Sequence, residues 1–209
     1  VPHTDPPVAP DILVGVSRTR IALLGSGTGT TAAEIIDATA TTIDADVCVV
    51  IGNNSAAAVL VHARERGVPT VHLSGVTHPD PGALDGAMVE ALSASGAELV
   101  VLAGYMKLLG PQVLERYEGR IVNTHPALLP AYGGVGMYGD RVHAAVLADG
   151  APVSGASVHV VTAEYDEGPV LAQVTVPVLP GDDVEALRSR VQVAEKALLI
   201  GWLRERCGA

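Results

Sequence analysis

Residues 21–36 read Ile21-Ala22-Leu23-Leu24-Gly25-Ser26-Gly27-Thr28-Gly29-Thr30-Thr31-Ala32-Ala33-Glu34-Ile35-Ile36. Four apolar residues in a row fit a strand buried on both faces, and the helical pattern of residues 31–38 follows a turn built of glycine, serine and threonine. Strand, tight turn and helix in this order open an α/β unit. The turn leaves small residues and free backbone N–H groups at a helix N-terminus, which is where an anion binds. It departs from the dinucleotide fingerprint, because Thr30 stands where the third glycine is needed and the next strand, Val47 to Ile51, runs into Gly52-Asn53-Asn54 with no acidic residue. From the residues alone, a phosphate cradle and a merely tight strand-to-helix turn both remain open.

Working outward, the same alternation repeats. Val47 to Ile51, Thr70 to Leu73, Leu99 to Leu102 and Ile121 to Thr124 read as further strands, and Ser55 to Arg66 and Leu84 to Ser95 as helices. Near-continuous apolar strands joined by helices predict a mostly parallel central sheet with helices on both faces, a Rossmann-like α/β fold. Beyond it, Ser154 to Thr162 and Val170 to Val178 read as two long strands around a turn-rich segment, an antiparallel or mixed C-terminal extension. A last helix is predicted to start at Asp182, with Glu185 in a capping-box position and Val184, Leu187, Val191, Ala194 and Leu198 as one apolar stripe. The opening VPHTDPPVAP carries four prolines, so residues 1–18 are expected to be a disordered arm before a single domain over 19–209.

Composition sets the outer bounds. The chain has 209 residues, of which 48% are hydrophobic and 17% charged. Such a length buries about 70% of its unfolded surface without staples. A formal net charge of −10 opposes nucleic acid and anionic lipid as partners, since both need a basic footprint. Cys48 and Cys207 make neither a disulfide framework nor a CxxC metal site. No apolar run approaches the roughly 18 residues of a membrane span. The expectation is a soluble, cytoplasmic protein, monomer or homodimer.

Four further residues could carry chemistry. Asn123-Thr124-His125-Pro126-Ala127-Leu128-Leu129-Pro130 begins at the end of the fifth strand, where open α/β sheets place ligands, and Asn123 and His125 are spaced to point the same way. Asp166 lies in the turn after the strand bearing Ser157 and His159. Each has an ordinary structural explanation: a loop-capping histidine, a turn-satisfying asparagine, a solvated turn carboxylate, a packed strand histidine.

Taken together, GSGTGT, the stretch Leu102 to Pro111 with Ala103-Gly104-Tyr105-Met106, NTHPALLP, and Ser157 to Gln173 resemble the folate-dependent glycinamide ribonucleotide formyltransferases of purine biosynthesis, over about Arg20 to Arg206. The resemblance implies transfer of a formyl group from 10-formyltetrahydrofolate to the glycine amine of glycinamide ribonucleotide, with no metal. It implies that Asn123, His125 and Asp166 are catalytic: His125, as imidazolium, and Asn123 donate to the developing oxyanion, and Asp166 supports the histidine and relays a proton. It places the substrate phosphate on Gly29, Thr30 and Thr31, the glycinamide end on Glu195 with Gln192 beside it, and the folate between Leu102, Met106, Lys107, Leu108 and Leu109 on one side and Thr162, Ala163, Glu164 and Tyr165 on the other. The chain departs from the family's pattern in its longer, glycine-rich Ala131 to Arg141 stretch, expected to be a mobile loop over the substrate. It also lacks Lys or Arg between Pro79 and Ala97, which leaves Arg64 or Arg141 as the cation for the phosphate. The rivals are formylation of an amino-sugar nucleotide or of methionyl-tRNA, hydrolysis of formyl-folate, a nicotinamide-dependent oxidoreductase and a non-catalytic nucleotide-binding module.

Overall fold

The computed structural model describes residues 18–208. Residues 1–17 of the expected arm lie outside the described residues, while Arg18 is docked, its guanidinium bonding Asp44, Asp46 and the carbonyls of Thr39 and Ile43. Among the described residues, seven strands form one sheet: β1 (Thr19–Gly25), β2 (Ala45–Gly52), β3 (Thr70–His72), β4 (Leu99–Leu102), β5 (Ile121–His125), β6 (Val153–Val160) and β7 (Val170–Pro177). Their order is β3-β2-β1-β4-β5-β6-β7. The first five are mutually parallel, and β6 and β7 are added antiparallel at one edge.

The apolar run of β1 serves two cores at once. Ile21 and Leu23 join Ala32, Ile35, Leu60, Leu199 and Leu203 on one side of the sheet, and Ala22 and Leu24 join Met88, Leu92, Val113 and Tyr117 on the other. A strand covered on both faces has no position left for a polar residue, hence the unbroken run. The helices are α1 (Thr30–Thr39), α2 (Ala58–Glu65), α3 (Pro81–Ala94), α4 (Pro111–Arg116), α5 (Asp140–Ala148) and α6 (Val184–Cys207). Among the described residues, no helix is long and apolar enough to cross a membrane.

Local chemistry explains where these helices depart from the sequence expectations. The third starts earlier than Leu84, because Asp80 caps it by accepting the Ala83 N–H and Pro81 sits in its first turn. The short α4 went unpredicted, and its first N–H groups are satisfied from outside. The buried Asp85 carboxylate on α3 accepts from Gln112 and Val113 at 2.8 and 3.1 Å. Helix α5 also went unpredicted, and it claims Asp140 and Arg141 from the segment read as loop. The cap of α6 is Asp183, whose side chain accepts the Ala186 N–H, and not Asp182. Asp182 instead accepts the Leu179 N–H and pairs with Arg190, which together hold its carboxyl down to about 2. Of the predicted stripe, Leu187 and Val191 are fully buried, and the helix continues its buried face with Leu199 and Leu203.

Candidate active site

Strand order reverses between β1 and β4, so the loops leaving their carboxyl ends diverge and open a crevice. A cavity of about 310 Å³ occupies it, lined by Ser26 to Thr31 from the first loop and by Ala103, Gly104 and Met106 from the second. Ser26 ties the two loops together, donating its N–H to the Gly104 carbonyl and accepting the Met106 N–H on Oγ. Gly29 caps α1 with φ at 72°. A Cβ at this position would collide with the Val59 backbone, so only glycine lets the loop lie this close to α2. No side chain caps α1, which leaves the first-turn amides to a ligand.

The two arginines considered for a phosphate engage elsewhere: Arg64 donates to the Thr70 hydroxyl, and Arg141 lies over the Tyr138 ring. Lys196, which the sequence reading passed over, brings its ammonium to α1, 2.6 Å from Glu34 and one turn in from the helix start.

The second group of residues forms where the antiparallel strands join the sheet. Asn123 lies opposite His159 and His125 opposite Ser157 in the β5–β6 pairing. The loop after β6 doubles back over these residues, a path that needs Gly168, since a Cβ there would strike the Val160 carbonyl. Asp166, with φ at 58°, is thereby set between two imidazoles: its Oδ2 is 3.4 Å from His125 Nδ1 and its Oδ1 is 3.5 Å from His159 Nε2. The Gly134 N–H also donates to Oδ2, at 3.0 Å. His125 is 4% exposed, and its Nε2 donates to the Tyr132 carbonyl at 2.7 Å. Tyr132 itself has φ at 56°. Two non-glycine residues of this group therefore adopt the left-handed conformation.

Buried Ser157 holds the segment after His125 in place. It donates to the Ala127 carbonyl and accepts from the Leu129 N–H and from Gln173 Nε2, which also reaches the Leu129 carbonyl. Beside this group, Glu195 on α6 accepts from the Thr124 hydroxyl at 2.5 Å. Burial raises the Glu195 carboxyl above the usual carboxylate range, opposed by the Thr124 bond and by His125 and Lys196. Gln192, one turn earlier, is exposed.

The residues expected to hold folate fall into two loops. Leu102 is buried at the end of β4, Leu109 is half-buried, and Met106, Lys107 and Leu108 are exposed, Met106 and Leu108 at 60% each. Thr162, Ala163, Glu164 and Tyr165 are all exposed, in the loop after β6. Val161, at the root of that loop, packs with Tyr105 and Leu109 against the same cluster as Leu102 and Ile121, so both loops rise from one apolar floor. A second cavity of about 480 Å³, lined by Leu129, Pro130, Gly133, Gly134 and Tyr165 to Gly168, opens on Asp166 and has none of Met106 to Leu109 in its wall. Thr124, Ser157, the Tyr132 carbonyl and His159 complete the polar group. The signal that would have found the strand residues is the cross-strand register, which sequence spacing does not give.

An uncapped helix start in the crevice at the strand-order reversal, and an Asn-His-Asp group on the same sheet at the β5–β6 junction, fit a group-transfer type of α/β site. The chain matches the formyl transferase family over residues 19–203 and belongs to it. It is 43% identical over 181 residues to a phosphoribosylglycinamide formyltransferase of Mycobacterium tuberculosis, covering 87% of this chain and 81% of that one. Among solved structures it resembles a glycinamide ribonucleotide transformylase of Symbiobacterium toebii, with a TM-score of 0.83 at 39% identity over 90% of this chain and 87% of the other. It also resembles a formyltetrahydrofolate deformylase of Pseudomonas syringae, with a TM-score of 0.79 at 26% identity over 92% of this chain and 62% of the other.

Proposed function

We propose that this protein transfers the formyl group of 10-formyltetrahydrofolate to the glycine amine of glycinamide ribonucleotide, in purine biosynthesis. The observation that carries the reading is the convergence of Asn123, His125 and Asp166 beside Glu195, within one sheet whose other crevice presents an uncapped helix start. An amine attacking a formyl carbon forms a carbon–nitrogen bond, puts negative charge on the formyl oxygen and positive charge on the new nitrogen. Collapse then breaks the bond to the folate N10, which takes up the proton the amine gives off.

His125 and Asn123 donate to the oxygen, the largest single contribution expected in acyl transfer of this kind. In this structure the His125 Nε2–H is given to the Tyr132 carbonyl, so the formyl oxygen takes the place that this carbonyl holds. Asp166, against His125 Nδ1, supports the charge that the histidine carries and accepts the proton on its way to N10. Glu195 holds the glycinamide end, with Gln192 beside it, and the amides of Gly29, Thr30 and Thr31 hold the phosphate. The folate lies across Leu102, Met106, Lys107, Leu108 and Leu109, with Thr162, Ala163, Glu164 and Tyr165 facing it. The exposed Met106 and Leu108 are the apolar surface it covers.

A substrate panel tests the reading. Formyl-folate is offered with glycinamide ribonucleotide, with an amino-sugar nucleotide, with methionyl-tRNA or with water alone, and release of folate is followed. Turnover only with glycinamide ribonucleotide is the expected result. Equal turnover without any amine identifies a hydrolase, the activity named for the P. syringae neighbour, and overturns it.

A further inference from the structure

His159 is almost fully buried, 2% exposed, and is not among the residues assigned a role above. Its surroundings decide where its proton sits. Nδ1 lies 3.0 Å from the Val160 carbonyl. That group only accepts, so Nδ1 carries the hydrogen and in the neutral ring Nε2 offers a lone pair. Asn123 Nδ2 lies 3.3 Å from that lone pair. A carboxamide facing a lone pair must present its N–H₂ edge, so the ring fixes which way round the Asn123 amide stands. One N–H is spent on His159, and the other is left to the substrate.

We propose that His159 is a positioning residue for formyl transfer, its neutral Nε2 holding the Asn123 carboxamide in the orientation that donates to the formyl oxygen. This rests on the formyl-transfer reading above. The groups facing His159 are Asn123 and the Val160 carbonyl, with Asp166 3.5 Å from Nε2 and the His125 ring across that carboxylate. Burial lowers the pKa of His159 from the usual imidazole range, and the His125 ring acts in the same direction. The Val160 carbonyl and Asp166 oppose both. The net direction favours the neutral ring, in which Nδ1–H faces the Val160 carbonyl. Protonation would give Nε2 a hydrogen, repel the Asn123 N–H₂, and turn Nε2 into a donor to Asp166 Oδ1, so that the carboxylate is shared between two imidazoles. One proton then disables both partners of His125.

The test uses the full chain and separates orientation from packing. His159→Leu fills the site without an acceptor, and kcat is expected to fall by about tenfold to a hundredfold, part of what loss of the donor itself costs, with KM for both substrates within about twofold. In an Asn123→Ala background the same change should alter kcat by less than about twofold, because the ring acts through that amide. His159→Gln, whose side-chain oxygen takes the place of Nε2, should restore most of kcat, and its rate relative to wild type should rise as pH falls, since it cannot be protonated there. Full multiplicativity of His159→Leu with Asn123→Ala overturns the proposal. So does His159→Gln as slow as His159→Leu with an unchanged thermal midpoint.

A readout independent of activity keeps this distinct from a failure of the functional reading. In an NMR titration of the His159 ring, Asn123→Ala should raise its pKa, because a donor to Nε2 favours the neutral form, and Asp166→Asn should lower it. An unmoved titration in Asn123→Ala overturns the proposal whatever reaction the protein catalyses.

Discussion

The two cavities sit on one sheet and are made of different material. The crevice between β1 and β4 offers backbone: uncapped amides at the start of α1, reached because Gly29 lies against Val59. The group at the β5–β6 junction offers side chains, with two imidazoles, a carboxylate and a carboxamide each depending on the others for orientation. Backbone donors do not titrate and tolerate substitution everywhere except where a Cβ would collide. A side-chain network is sensitive to each member and to pH. Parallel strands, with helices packed over both faces, suit the first task. The antiparallel edge suits the second, because directly opposed residues place polar side chains within bonding distance.

The largest effects should come from the side-chain half. His125→Ala and Asn123→Ala are each expected to lower kcat by about 10²–10³ with little change in either KM, and the double variant should fall short of the product, since both act on one charge. Steady-state kinetics on the three variants checks this, and full multiplicativity would separate their roles. Asp166→Asn comes next. Asparagine tolerates the left-handed conformation that Asp166 adopts, so the turn survives. Its kcat is expected to fall about a hundredfold at an unchanged thermal midpoint. Near-normal turnover in a folded variant would reduce Asp166 to a turn residue.

The backbone half is broken differently. Gly29→Ala forces its Cβ against Val59, and the loop must retreat. KM for glycinamide ribonucleotide is expected to rise by about tenfold or more, with KM for formyl-folate unchanged, at a cost in stability of about 1–3 kcal/mol. An equal rise in both constants would dissolve the distinction between the two halves.

The smallest effect sharpens the boundary between them, at Glu195. Its carboxyl is raised by burial, so ionising it costs the fold above that raised pKa, and the cost is relieved as pH falls through it toward the unfolded value. Glu195→Gln should therefore raise the thermal midpoint by about 2 °C at neutral pH, and the gain should vanish in acid. The same variant should weaken glycinamide ribonucleotide much more than folate. A midpoint that falls at neutral pH would mean that the carboxylate is held more favourably than its burial implies.

The two halves also differ in how far the sequence discloses them. β1, β4 and the Val47 to Ile51 part of β2 are legible as unbroken apolar runs, because burial on both faces leaves no alternative, whereas β5 keeps only Ile121 and Val122 before its polar end. Helix α4 is not legible: it is short and is capped by Asp85, 27 residues upstream of Gln112. Asp182 misleads because two aspartates stand together, and only the geometry shows that Arg190 takes the first while the second caps. Asn123, His125 and Asp166 are legible through resemblance, whereas His159 as the partner of Asn123 depends on the β5–β6 register and on a loop that doubles back through Gly168. Neither leaves a mark in residue spacing.

The position of α6 carries a consequence in time. Lys196 meets Glu34 across 162 residues of chain, and Glu195 meets Thr124 across 71 residues. Contacts of such separation are the ones a folding chain closes late. At about 5–20 residues per second of synthesis, the glycine loop waits on the order of ten seconds for the helix that brings Glu195. On refolding, helical circular dichroism should return ahead of catalytic activity, and the interval between them measures the docking of α6.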